Sequence, residues 1–149
     1  RRDCIQRWQP RVDGVVGSRL RYTPAMARVV AVVGASRDRR KFGNKAVRAF
    51  LHRGYDVLPI NPNGGFIEGV PAYASVLDVP GTIDMATVYL QPSVGERVLD
   101  ELAEKGIEEV WLNPGADADR VVARARALGF VPILDCSIVG IGESPVSYP

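Results

Sequence analysis

Histidine occurs once in this chain and cysteine twice, at Cys4 and Cys136, and that scarcity removes whole classes of chemistry. No metal-ligand spacing can be drawn from them. The single His52 has no acid or thiol near it in sequence, so it is not expected to be catalytic. A domain of this size needs no disulfide; both thiols are expected to be reduced, with Cys136 a small, half-buried side chain. No apolar run approaches the roughly 18 residues of a membrane span, and the first thirty residues lack the apolar centre of a signal peptide. A cytoplasmic protein without membrane attachment is the expectation. No Ser/His/Asp order and no carboxylate pair with a clear role appears, so no catalytic residue and no metal ligand is assigned.

Net charge is scarce too: 19 basic side chains face 17 acidic ones. Residues 1–28 hold seven arginines against Asp3 and Asp13, which leaves the rest of the chain mildly acidic at −3. A nucleic-acid binder would spread lysine and arginine over a folded face. Here they are concentrated at Arg37, Arg39, Arg40, Lys41 and Lys45. Specific nucleic-acid recognition is therefore not expected, whereas a compact polyanion suits such a cluster. Residues 1–27 contain Pro10, Gly14, Gly17 and Pro24 and no sustained hydrophobic period. They are expected to form a basic, loosely ordered extension ahead of one domain at 28–149.

What is present begins with Val29-Val30-Ala31-Val32-Val33, an unbroken β-branched run that reads as a strand buried on both faces. Helical patterns at about 44–53, 93–105 and 117–128 each stop at a glycine, Gly54, Gly106 and Gly129. Each glycine can take the left-handed conformation that ends a helix. Strand-like runs follow at once: Tyr55 to Ile60, Ile107 to Leu112 and Phe130 to Leu134. Ile83 to Leu90 supplies another strand and Val70 to Tyr73 a weaker one. Ser93 with Glu96 has the capping-box spacing, and Asp117 or Asp119 is placed to cap the third helix. Alternating β and α with short links predicts a three-layer α/β fold, a mostly parallel sheet flanked by helices.

In such a sheet, ligands bind outside the carboxyl ends of the strands. Those ends read Gly34-Ala35-Ser36, Asn61-Pro62-Asn63, Leu90-Gln91-Pro92, Leu112-Asn113-Pro114-Gly115 and Asp135-Cys136-Ser137. The small residues after the first strand let backbone N–H groups approach a phosphate at the start of the next helix. Lys41 and Lys45 are within reach of phosphate oxygens, while Arg37, Arg39 and Arg40 are equally compatible with a solvated face. Phe42-Gly43 shapes the loop into the helix. A dinucleotide site would require Gly-x-Gly-x-x-Gly here and an acidic residue about 20 positions on. This chain has one glycine at the turn, then Gly43, and Asn61 at the second strand's end, which disfavours NAD. Gly34-Ala35-Ser36-Arg37 is similar to the NADP-using short-chain dehydrogenases, but no Tyr-x-x-x-Lys pair follows.

Val32-Val33-Gly34-Ala35-Ser36, Gly54-Tyr55-Asp56-Val57, Asn61-Pro62, Ile83-Asp84, Val110-Trp111-Leu112, Pro114-Gly115 and Asp135-Cys136 resemble, in this order, the small stand-alone CoA-binding proteins. The resemblance runs from about Arg28 to Ile141. It implies a Rossmann-like domain akin to the CoA-binding domain of the succinyl-CoA synthetase alpha subunit and of NDP-forming acyl-CoA synthetases. It further implies that Gly34, Ala35 and Ser36 hold the phosphates of coenzyme A and that Asn61, Pro62 and Asn63 lie beside its adenosine. Leu90, Gln91 and Pro92, with Leu112, Asn113 and Pro114, would line the remainder. The expected function is non-catalytic binding of CoA or an acyl-CoA. The alternatives are a fragment or subunit of an NDP-forming acyl-CoA synthetase, an NADP-binding reductase, and a CoA-sensing regulatory module. Any protein partner is left open.

Overall fold

In the computed structural model, which describes residues 27–149, the β-branched run forms strand β1 (Val29–Val33). The arginine-rich extension expected over 1–27 lies, apart from Ala27, outside the described residues. The chain continues through α1 (Phe42–His52), β2 (Asp56–Ile60), the short strands β3 (Phe66–Ile67) and β4 (Val70–Pro71), β5 (Met85–Val88), α2 (Pro92–Lys105), β6 (Glu109–Leu112), α3 (Asp119–Ala127) and α4 (Ser137–Gly140). Two single 3-10 turns, Val76–Asp78 and Pro145–Ser147, complete it.

Strands β2, β1, β5 and β6 pair in that order, all parallel, with Val32 opposite Pro59 on one side and Thr87 on the other. The period-two geometry of a strand sends alternate residues of β1 to opposite faces, and both faces are covered. Val30 and Val32 join Ala46, Val47 and Phe50 of α1 and Ile138 of α4. Ala31 and Val33 join Leu99 and Leu102 of α2 and Val121, Val122 and Ala125 of α3. The expected Rossmann-like three-layer sandwich is what the chain adopts.

The helix stops behave as anticipated: Gly54, Gly106 and Gly129 have φ of 84°, 82° and 95°. Other local expectations need correction. Helix α2 is started by Pro92 at its first position, with Gln91 as N-cap and no side-chain cap, so Ser93 and Glu96 form no capping box. Helix α3 likewise has Ala118 at the N-cap, and Asp117 instead accepts the Gly115 N–H at 3.1 Å. The run Phe130 to Leu134 is not a strand. Pro132 offers no donor in its middle, Val131 is 88% exposed, and only Ile133 bridges Trp111. Val70 to Tyr73 divides: Val70 and Pro71 return antiparallel on Phe66 and Ile67, while Tyr73 bridges Ile60. Pro59 is tolerated inside β2 because its carbonyl, accepting from the Tyr73 N–H at 3.0 Å, faces away from β1, so the missing donor faces outward too.

Candidate functional site

The chain leaves β1 toward β2 on one side of the sheet and later returns to β5 on the other, which makes the carboxyl end of β1 a topological switch point. A groove of about 680 Å³ opens there. Its walls come from the end of β1 (Gly34, Ala35, Ser36), the start of α1 (Lys41, Phe42, Gly43), the end of β2 (Asn61, Pro62), and the segments after β5 and β6.

Two glycines set how tightly these walls meet. Gly34 has φ of 95°, and a Cβ on it would lie 2.6 Å from the Tyr89 carbonyl oxygen. A Cβ on Gly43 would lie 2.1 Å from the Gly34 carbonyl oxygen, so the first turn of α1 rests directly on the backbone leaving β1.

The N–H groups of Gly34 and Ala35 both donate to the Ile60 carbonyl, each at 3.2 Å. A neighbouring strand end thus already engages two of the N–H groups that the sequence places beside a phosphate. Among the described residues, the N–H groups of Ser36, Arg37, Phe42 and Gly43 find no acceptor in the protein, and three of these four residues border the groove. The Ser36 hydroxyl oxygen accepts from the Asp38 N–H at 3.0 Å, and its own proton stays available.

The basic cluster divides in two. Arg37 donates to the Gly64 carbonyl, Arg39 pairs with Glu68 at 2.6 Å, and Arg40 forms a two-pronged pair with Asp38 at 3.0 Å. The Arg40 hydrogen bonds hold the Asp38 carboxyl down at about 2. Glu68 sits at the tip of the β3–β4 hairpin with φ of 52°, unusual for a residue with a side chain, and its carboxylate also accepts from Asn44 at 3.0 Å. Lys41 and Lys45 have no ion pair among the described residues; Lys41 borders the groove, and Lys45 lies over the Phe42 ring, 5.7 Å from its centre.

Of the residues singled out from sequence, Gly34, Ala35, Ser36, Lys41, Asn61, Pro62, Leu90, Gln91, Pro92 and Pro114 come together around this one groove. Four others stand apart from its lining. Lys45 lies a turn behind, Asn63 is exposed and donates to the Asn61 side chain at 2.8 Å, Leu112 is wholly in the core, and Asn113 is buried. Asn113 belongs to a polar network beneath the groove. Its amide donates to Thr87 at 2.6 Å and to the Val88 carbonyl at 3.0 Å, and its oxygen accepts from the Ser137 N–H at 2.8 Å. Ser137 in turn meets Thr87 at 2.7 Å and the Tyr89 hydroxyl at 3.1 Å. Burial pushes the Tyr89 hydroxyl up to about 12.

Tyr89, Gly115 and Ala116 also border the groove. Tyr89 stood inside a run read as continuous strand to Leu90, so nothing in its spacing set it apart. His52 lies elsewhere, in a second cavity with Arg39, Arg48 and Tyr148. Cys136 is free and half-buried. Among the described residues no group of three metal-ligating side chains exists, and no helix is long and apolar enough to cross a membrane.

A groove at the switch point of a parallel sheet layered between helices defines a Rossmann-like class of domain. Within that class the particular family is settled by sequence: residues 28–141 match the CoA binding domain profile, and the chain belongs to that family. It is 34% identical over 84 residues to the alpha subunit of an ADP-forming acetate–CoA ligase II from Pyrococcus furiosus, covering 56% of this chain and 18% of the ligase subunit. A solved conserved hypothetical protein from the same organism superposes with a TM-score of 0.71 at 34% identity, covering 76% of this chain and 98% of that one. The apo dinucleotide-forming acetyl-coenzyme A synthetase 1 of Ca. Korarchaeum cryptofilum matches with a TM-score of 0.62 at 29% identity, over 70% of this chain but 25% of the synthetase. The matched segment thus spans less than a fifth of the curated ligase chains and nearly all of the small solved one.

Proposed function

We propose that the groove binds coenzyme A, free or acylated, and that the domain does so without carrying out chemistry itself. One observation supports this most directly: acceptor-free N–H groups at Ser36, Phe42 and Gly43 line the same groove as the unpaired Lys41, in a chain of the CoA binding domain family. Backbone donors at a helix start together with one cation suit a diphosphate. Leu90, Pro92, Pro114 and Ala116 offer apolar surface for the uncharged arm of the ligand. The groove's ionisable side chains are Lys41 and Tyr89, and a phenol held near 12 keeps its proton at neutral pH, which suits holding a ligand rather than acid–base work.

Calorimetric titration with CoA tests this. Binding should weaken with added salt, and Lys41→Ala should lower affinity by roughly three- to tenfold, most at low ionic strength. No heat and no thermal shift at millimolar CoA would overturn the proposal.

The similarity to ADP-forming ligases favours a second reading, in which this domain is the CoA-holding part of an NDP-forming acyl-CoA synthetase. Acyl-CoA formation on mixing with a candidate nucleotide-binding partner distinguishes it from the first. An NADP-dependent reductase draws no support from the groove or from the relatives.

A further inference from the structure

Asn44 is fully buried on the first turn of α1, and Asn61 is half-buried at the end of β2. Their side-chain orientations are fixed by their neighbours. The Arg48 Nε–H can only donate, so the Asn44 atom it meets at 2.7 Å is the oxygen, and the amide nitrogen is left for the Ser36 carbonyl at 2.9 Å. The Asn63 backbone N–H likewise marks the Asn61 oxygen, leaving the Asn61 nitrogen for the Ala35 carbonyl at 2.9 Å. Two carboxamides from different elements therefore grip two consecutive carbonyls.

The peptide bonds concerned are trans, and in a trans peptide the N–H points opposite to the C=O of the same plane. Holding the Ala35 carbonyl toward β2 turns the Ser36 N–H the other way, toward β5. That is the side on which Tyr89 to Pro92 and Pro114 to Ala116 wall the groove. Holding the Ser36 carbonyl toward α1 turns the Arg37 N–H away from that helix. These are two of the N–H groups without an acceptor among the described residues. Of the two residues, Ser36 borders the groove, so its N–H is the one presented to a bound anion.

We propose that Asn61 and Asn44 are positioning residues that hold the peptide planes on either side of Ser36 so that the Ser36 N–H faces the ligand's diphosphate. This rests on the groove's holding CoA. Glu68 and Arg48 act behind Asn44: the Glu68 carboxylate takes the second amide proton at 3.0 Å and Arg48 holds the oxygen, so this carboxamide cannot flip.

The test follows the backbone amides of the full chain by NMR during titration with CoA and, separately, with inorganic pyrophosphate, in the parent, Asn61→Ala and Asn44→Ala. The Ser36 amide proton should move downfield with either probe. Each substitution should weaken both probes by roughly tenfold and diminish that shift. If Asn44→Ala does not fold, the parent's shifts and Asn61→Ala decide. Parent protein that binds CoA with the Ser36 amide unmoved overturns the positioning role and leaves the CoA proposal standing. So does an Asn61→Ala protein that loses CoA affinity but keeps pyrophosphate affinity, since Asn61 would then touch the nucleoside directly. A parent that binds neither probe overturns both.

Discussion

Gly43→Ala isolates the contact on which the groove is built. The added Cβ would stand 2.1 Å from the Gly34 carbonyl oxygen and 3.2 Å from the Ala35 Cα. Both are backbone atoms, so no side chain can rotate aside; the start of α1 must retreat by about 0.9 Å merely to reach a separation of 3.0 Å. Overpacking of this kind costs roughly 1–3 kcal/mol. In a domain of this size that lowers Tm by roughly 5–15 °C. The retreat also carries the Gly43 and Phe42 N–H groups away from the Ser36 turn, so CoA affinity should fall alongside stability. Gly95→Ala is the matched comparison. It lies inside α2 at ordinary helical φ, and its Cβ would meet Val121 at 3.8 Å, an ordinary contact. Relief of glycine's conformational freedom should stabilise the protein by about 0.5–1 kcal/mol, with binding unchanged. The pair would be read by thermal unfolding and CoA calorimetry. A Gly43→Ala protein as stable as its parent, or a Gly95→Ala protein that melts lower, would refute the packing argument.

Asn113→Ala leaves the Ser137 N–H buried without its acceptor and the Val88 carbonyl with the backbone N–H of position 113 alone, at 3.4 Å, and should lower urea-unfolding stability by roughly 1–3 kcal/mol. Tyr89 gives a pH dependence with a definite sign. Its hydroxyl ionises at about 12 when folded, above the ordinary value of 10.0, so stability is intact below 10 and declines as pH rises through 12. Over that window the decline from this residue should be about 2 kcal/mol, and Tyr89→Phe should show a shallower fall in alkaline unfolding curves. An equally steep fall in Tyr89→Phe would assign the effect elsewhere.

The layering was legible because it rests on local rules. β-branched runs, apolar helical stripes and terminating glycines each act within a few residues, and Gly54, Gly106 and Gly129 end their helices as the sequence implies. The groove's location followed from that order of elements. What could not be read depends on partners distant in sequence. The Ile60 carbonyl takes the Gly34 and Ala35 N–H groups across 26 and 25 positions, Glu68 claims Arg39 across 29, and the Gly34–Gly43 contact exists only once α1 has docked. Phe130 to Leu134 has strand composition, but Pro132 interrupts its donors. Ser93 and Glu96 have capping spacing, but the helix begins one residue earlier, at Pro92.

The borders of the main sheet share a property. Outside β2 runs the segment that meets it through Tyr73, just after Pro71; outside β6 runs the one that meets it through Ile133, just after Pro132. At the first border the outward Ala72 N–H is already taken by the Gly65 carbonyl at 2.8 Å, and at the second the neighbour of the inward-turned Ile133 is Pro132, which has no donor to offer. Each gives a newcomer a short, interrupted ladder in place of a long open one, and exposed sheet edges are where chain-to-chain pairing starts. The same interruptions that spoil the reading of these segments as strands keep neighbouring molecules from zipping together when the protein is crowded.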